Sequence, residues 1–386
     1  MDRAFVKEKI AERIAEIDQE LKIHPERRSD LAWQKIWQNQ PRQYPVLSLN
    51  RITDISAGEG KSAPHPFSSP EEHLLTKLDD LTRPLALLNP IAPILPTGLG
   101  PGTLATCFGL TVQAEAGYVP ATSLSLAQAL KQGMPDPEKS GWLPLIKQEI
   151  LVARELTPSW MKIALPDTQG PFNLAHLILG NESFTAPFTQ PEKFFSYLEI
   201  VTEFFVEVNK KFREWITAER LPEGKVDSVS IAECSVNLVS ADFYRRFILP
   251  FDLRVAKNWK YVDIHTCSGP HVFQVTLDSF PNLVATEAGF IEKACAGWTP
   301  VELAVRLIQG RQIILRIGEE LPADFNQAEE YVKKRLLLAR NNHQLSFSFT
   351  GMYWKKTDEP AIRKLHRRLD DFWAKEVWPL ACGGKN

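Results

Sequence analysis

The sequence predicts an α/β fold, and three observations carry that prediction. Short β-like runs recur along the chain, longer helical stretches separate most of them, and polar residues suited to chemistry collect at their C-terminal ends. Eight runs qualify: 45–49 (PVLSL), 87–95 (LLNPIAPIL), 161–165 (MKIAL), 229–232 (VSIA), 261–265 (YVDIH), 283–287 (LVATE), 312–317 (QIILRI) and 345–349 (LSFSF). Strands alternating with helices favour a parallel sheet with right-handed crossovers. Eight of them in 386 residues predict a single (β/α)8 TIM barrel with an N-terminal helical extension and insertions over the barrel mouth.

In chain order, MDRAFVKEKIAERIAEIDQEL is too charged for a signal peptide and reads as an amphipathic helix with Ile10, Ile14, Ile17 and Leu21 on one face. Residues 1–30 are therefore the helical extension and 31–386 the barrel. The second run is the weakest, because Pro90 and Pro93 interrupt it. Residues 51–80 and 97–160 are long and contain Pro and Gly, as insertions over the mouth would. Within the latter, GLGPG at 98–102 lacks the spacing and the Lys of a phosphate loop and reads as a turn. From about 191 to 216 a helix carries Phe194, Leu198, Val201, Phe205 and Val208 at helical spacing, a stripe for packing against the barrel. Ser240 is placed to cap the helix SADFYRRFIL, which Pro250 then kinks or breaks. Thr299-Pro300-Val301-Glu302 is a capping box whose helix stops at Gly310.

Composition excludes several functions. Apolar residues make up 44% and charged residues 24%, and the net charge of −2 comes without a basic block, so nucleic-acid binding has no electrostatic support. No apolar run approaches about 18 residues, which argues against a membrane span. The five cysteines, Cys107, Cys234, Cys267, Cys295 and Cys382, are odd in number and scattered. They form no disulfide framework, and a reducing, cytoplasmic setting is expected.

A parallel barrel places its reactive side chains at the C-terminal strand ends. Those ends offer Asn50 and Arg51, Asp167, Glu233 and Cys234, His265 and Cys267, Glu287 with Cys295 beyond it, Arg316, and Thr350. His265 and Cys267 lie two apart in VDIHTCSGPH, a spacing that points both to one side at the end of a strand. Imidazole and thiolate are ligands zinc prefers, and Glu287 at the next strand end can reach a metal they hold. Three protein ligands with an open position is the catalytic zinc pattern. The alternative reading is a hydrogen-bonded histidine beside a buried free cysteine.

The segments AWQKIWQNQPRQYPVL, GPGTLATCFGLTVQ (100–113), PDTQGPFNLAHLILG (166–180), CSVNLVSADFYRRFILPF (234–251) and IHTCSG (264–269) give the chain a resemblance, over about residues 31 to 375. It resembles the uroporphyrinogen decarboxylase superfamily, and within it the zinc-dependent methyltransferase branch that includes coenzyme M methyltransferases. The arginine-rich substrate motif of the decarboxylase itself, of the type RQAGRY, has no counterpart in RQYP (42–45) or NRITD (50–54). The resemblance implies zinc on His265 and Cys267, with Glu287, twenty residues after Cys267, able to join them. Members of that branch take a last cysteine from the end of strand 8. This chain has LSFSFTGMYW there, with Thr350 and Gly351, so that Cys295 or Cys234 would have to supply the thiolate, the zinc would keep three ligands, or the metal would be lost.

The implied function is methyl transfer between a small-molecule substrate and a corrinoid on a separate protein or a thiol acceptor. A carboxylate in the ligand set would leave the metal electrophilic and favour a demethylase-type half-reaction. Asp167 and Glu233 are the candidate catalytic groups, and Cys234 and Arg316 the candidate substrate contacts. A metal-independent decarboxylase-like lyase and a non-catalytic ligand-binding barrel are the alternatives.

Overall fold

In the computed structural model, which describes residues 2–23, 46–51, 69–82, 94–113, 119–267, 270–288, 301–351 and 354–381, each of the eight β-like runs holds a strand. These are β1 (Leu47–Arg51), β2 (Ile94–Leu95), β3 (Lys162–Ile163), β4 (Ser228–Ala232), β5 (Tyr261–His265), β6 (Leu283–Ala288), β7 (Ile314–Leu321) and β8 (Leu345–Gly351). The fold is α/β with parallel strand pairing and helices at the N-terminal end. Two compact units account for the chain, one of residues 1–93 with 284–386, the other of residues 94–283.

In the first unit the parallel order is β6-β7-β8-β1, so the first strand of the chain lies beside the last. Phe347 pairs with Leu47 and Ile314 with Ala285. Leu345, Phe347 and Phe349 are buried together with the intervening Ser346, as in a parallel strand covered on both faces. Gly351 ends β8 where a Cβ would collide with the Trp354 ring, and that ring stacks on Phe325 at 4.8 Å. Helix α1 (Arg3–Ile23) buries Val6, Ile10, Ile17 and Leu21, with Ile14 half-buried, as its pattern predicts. It packs on α2 (Pro70–Leu81), which Ser69 caps, and Arg13 reaches Asp79 at 2.6 Å. The segment 51–80 thus ends in a helix packed on α1.

The second unit is organised by one long helix. Helices α3 (Leu126–Gln132), α4 (Leu143–Leu156) and α5 (Pro171–Leu179) precede it, and α6 (Pro191–Ile216) has the bounds its pattern predicts. Phe194, Leu198, Val201, Phe205 and Val208 are all fully buried, and α3, α4 and α5 pack on the helix. Phe108 meets Phe204 edge-on at 5.3 Å, a favourable aromatic geometry. The stretch 97–160, read from sequence as an insertion over the mouth, therefore supplies core: Leu126, Leu143, Ile146 and Ile150 are buried through α3 and α4.

Ser240 caps the next helix as expected, its Oγ accepting from Phe243 N at 3.1 Å. Pro250 bends that helix without ending it. A π-helical turn over Tyr244–Ile248 runs into α7 (Leu249–Ala256), widening the ladder ahead of the residue that cannot donate. Helix α8 (Pro270–Ser279) follows β5. Strand β2 pairs in parallel with β3, and β4 with β5. Past β3 the chain runs along β4, with Gln169 bridging Ala232 and Gly170 N donating to Ala232 O at 2.8 Å.

Strand β3 holds only two residues, fewer than its apolar run. Pro166 follows closely on β3. The residues Pro90, Pro93, Thr299 and Pro300, Cys295 and Cys382 lie outside the described set, although the helix Val301–Ile308 predicted from the capping box is present. Among the described residues no helix is long and apolar enough to cross a membrane.

Candidate metal centre

The register of β4 on β5 builds the site. Ala232 pairs with His265 at the last rung, and Glu233 N donates to His265 O at 2.7 Å, extending the pairing one residue further. Both chains then turn away from the sheet. After β4, a 3-10 turn over Cys234–Leu238 begins with Cys234. After β5, buried Thr266 is followed by Cys267 in the left-handed region at φ 48°, a conformation that costs a non-glycine residue about 1 kcal/mol. The turn brings Cys267 Sγ to 3.4 Å from His265 Nε2. One ligand atom from each of Cys234, His265 and Cys267 lies within 4.8 Å of the other two, and all three residues are half-buried.

Glu233, the residue before Cys234, goes the other way. Its carboxylate is fully buried and accepts from Phe172 N at 2.9 Å and Asn173 N at 2.7 Å, the first turn of α5. That helix starts at Gly170-Pro171 without a capping side chain of its own, so Glu233 satisfies donors that the helix leaves open. Gly170 is required by this approach, since a Cβ there would lie 2.8 Å from Glu233 Cδ and 2.9 Å from Ile231 Cγ2. Buried Asp252 adjoins Glu233 and accepts from the Tyr244 hydroxyl at 3.1 Å, across the π-helical turn. Burial pushes both carboxyls upward, Asp252 to about 7, and the pair retains a proton near neutrality.

Asp167 is the predicted catalytic group that the structure places near the cluster. Its side chain is solvent-accessible yet recessed; burial raises its carboxyl while His265, when charged, pulls it back. Gln169 Nε2 donates to Asp167 Oδ1 at 3.3 Å, and Asn173 Nδ2 in turn donates to Gln169 Oε1. Asn173 Oδ1 accepts from Ser235 N at 3.1 Å, and Ser235 Oγ meets His176 Nδ1 at 2.6 Å. A chain of polar side chains thus runs from Asp167 to the turn that carries Cys234.

Sequence reasoning brought out the strand ends but missed this chain. The signal available was the row of Gln169, Asn173 and His176 at helical spacing through the start of α5. Of the predicted ligands, His265 and Cys267 are together, and Cys234, first read as a substrate contact or a substitute ligand, joins them. Glu233 is not at an open rim: it is enclosed under α5. Glu287 and Arg316 belong to the first unit, where they are register partners on β6 and β7, with Glu287 buried and Arg316 half-buried. Glu287 is not in the three-residue group. The Arg51 strand end is β1, paired there with Gly351.

Three soft donors on two adjacent loops suit a metal such as zinc. Tetrahedral zinc with Zn–S of about 2.3 Å and Zn–N of about 2.0 Å holds its ligand atoms about 3.5–3.8 Å apart, a spacing that the 3.4 Å between Cys267 Sγ and His265 Nε2 and the 4.8 Å bound of the group bracket. Cys107 is likewise half-buried, but desolvation pushes its thiol up to about 12 and it donates to Ser140 O at 3.5 Å, the setting of an inert structural thiol.

No protein-family model matches the sequence, and no curated protein matches it. Its structure is similar to that of a methyltransferase from Methanosarcina mazei, with a TM-score of 0.61 over 88% of this chain and 98% of that one at 15% sequence identity. At that identity the likeness shows a shared fold.

Proposed function

We propose that the chain is a zinc-dependent methyltransferase of the uroporphyrinogen decarboxylase superfamily, a (β/α)8 barrel whose metal ligands are Cys234, His265 and Cys267. The observation that carries this reading is the convergence of two thiols and an imidazole at adjacent strand ends. The barrel is supported by the parallel pairing of the first strand with the last, the neighbour relation a closed barrel requires. The similar methyltransferase supports the class of reaction.

Bound zinc would supply Lewis acidity, lowering the pKa of a coordinated thiol at its open position. Cys234 takes the place that sequence reasoning gave to a carboxylate, and two thiolates make a softer, less electrophilic centre. That favours the thiol acceptor over activation of an oxygen or nitrogen donor. Asp167, recessed beside His265, is placed to bind a polar substrate group or to take up the proton released by the thiol. Gln169 holds that carboxylate in orientation. The methyl group would come from a corrinoid on a separate protein.

Methylcob(III)alamin and a panel of small thiols test the reading. The reaction transfers the methyl group to sulfur, RS⁻ + CH₃–Co(III) → RSCH₃ + Co(I), and the absorbance of cob(I)alamin reports it. Zinc-loaded wild type is expected to turn over and Cys267→Ser to fail. Equal rates for the two, or no zinc in the wild type, would overturn the proposal.

A further inference from the structure

The two ligand-bearing turns are tied to each other by a side chain that binds no metal. We infer that Asn237 is a positioning residue, whose amide holds the Cys267 turn against the turn carrying Cys234 and keeps the three ligands assembled before metal arrives. The inference rests on the metal reading above and extends it to the preorganisation of that site.

Asn237 Nδ2 donates to Thr266 O at 2.9 Å and to Cys267 O at 3.4 Å. These carbonyls flank the Cys267 Cα, so one amide group fixes the peptide planes on both sides of the residue at φ 48°. A left-handed cysteine relaxes to ordinary backbone unless its surroundings hold it, and relaxation would swing Sγ away from His265 Nε2. Asn237 is also three residues beyond Cys234 within one 3-10 turn. At three residues per turn the side chains at i and i+3 eclipse, so the face that presents Asn237 to the end of β5 presents Cys234 to it as well. A second tie reinforces the first: His271 Nε2, on the first turn of α8, lies 3.1 Å from Val236 O, in the same 3-10 turn. Together they tie the turn after β4 to the chain after β5 at two points. Supporting groups of this kind typically change metal affinity by about 10- to 100-fold when removed.

The test uses the full chain with zinc and with cobalt(II) as a spectroscopic substitute. Asn237→Leu and Asn237→Ala are expected to lower zinc affinity, measured by chelator competition, by about 10- to 100-fold. They should also weaken or shift the thiolate-to-cobalt charge-transfer band, while the metal-free melting temperature stays near that of wild type. His271→Ala, at an exposed position, is expected to give a smaller loss of the same kind. Wild-type affinity and spectrum in either folded Asn237 variant overturn the inference. So does a loss of affinity matched by an equal loss of metal-free stability, since that is plain destabilisation. If neither Asn237 variant folds, His271→Ala decides, and wild-type affinity there overturns the inference. Failure of the wild type to take up zinc or cobalt removes the metal reading and this inference with it; uptake by wild type with no effect of the variants removes this inference alone.

Discussion

Glu233 and Cys234 are adjacent in the chain and opposite in use. Glu233 turns inward, loses all contact with solvent and satisfies the first turn of α5. Cys234 turns outward to His265 and Cys267 and stays half-buried. The surroundings follow the direction: Glu233 is enclosed with a second carboxyl and a tyrosine, where it stabilises structure, and the Cys234 thiol stands half-buried beside an imidazole and a second thiol. A polar residue at the C-terminal end of a parallel strand is therefore not a catalytic residue by position alone. The turn that follows the strand decides which side it serves.

If this division holds, changes on the inner side cost stability without affecting metal, and changes on the outer side do the reverse. The largest stability effect is expected for Glu233→Ala, which strands the Phe172 and Asn173 amides and leaves a cavity, at about 4 kcal/mol in chemical denaturation. Gly170→Ala follows at about 3 kcal/mol, because the added methyl group would strike both Glu233 and Ile231. A Gly170→Ala protein as stable as wild type would show that the approach of α5 to β4 is looser than described.

The pH dependence sharpens the inner side. Asp252 is raised to about 7 in the folded chain, against an ordinary carboxylate near 4. The stability it contributes is complete below the unfolded value and is lost as pH rises from there to about 7, at roughly 1.4 kcal/mol per pH unit, with no further loss above that. Asp252→Asn, which keeps an acceptor for Tyr244, should remove this slope between about pH 4 and pH 7. An unchanged slope in thermal melts would assign the proton elsewhere. The smallest effect is expected for Leu238→Ser: it ends the ligand-bearing turn yet is 68% exposed, so stability should move by less than about 0.5 kcal/mol and zinc affinity not at all.

Elements with strong periodicity were legible in the sequence. The run YVDIH is β5 to the residue, and α6 spans the 191–216 read for it from its periodicity. Strand β3 shrank to two residues, fewer than its apolar run suggests. Helices α3 and α4 looked like insertions because Pro and Gly punctuate 97–160, while their apolar faces were assigned no partner until α6 was in place. At the site, His265 and Cys267 could be paired from spacing, a local property. Cys234 could only be placed by the β4–β5 register, which joins residues about thirty positions apart, and Asn237 only by the turn that register starts. Glu233 was misdirected for the same reason, although an α5 that begins Gly-Pro with no capping side chain was a signal that some distant acceptor must serve it.

The central claim is that Cys234, with His265 and Cys267, holds one metal ion. Zinc content by elemental analysis of wild type, Cys234→Ser and Cys107→Ser tests it most directly, Cys107, which is outside the cluster, serving as the control thiol. The account predicts one zinc per chain in wild type and Cys107→Ser, and loss of most of it in Cys234→Ser without loss of the fold. Full zinc in Cys234→Ser, or none in wild type, would contradict it.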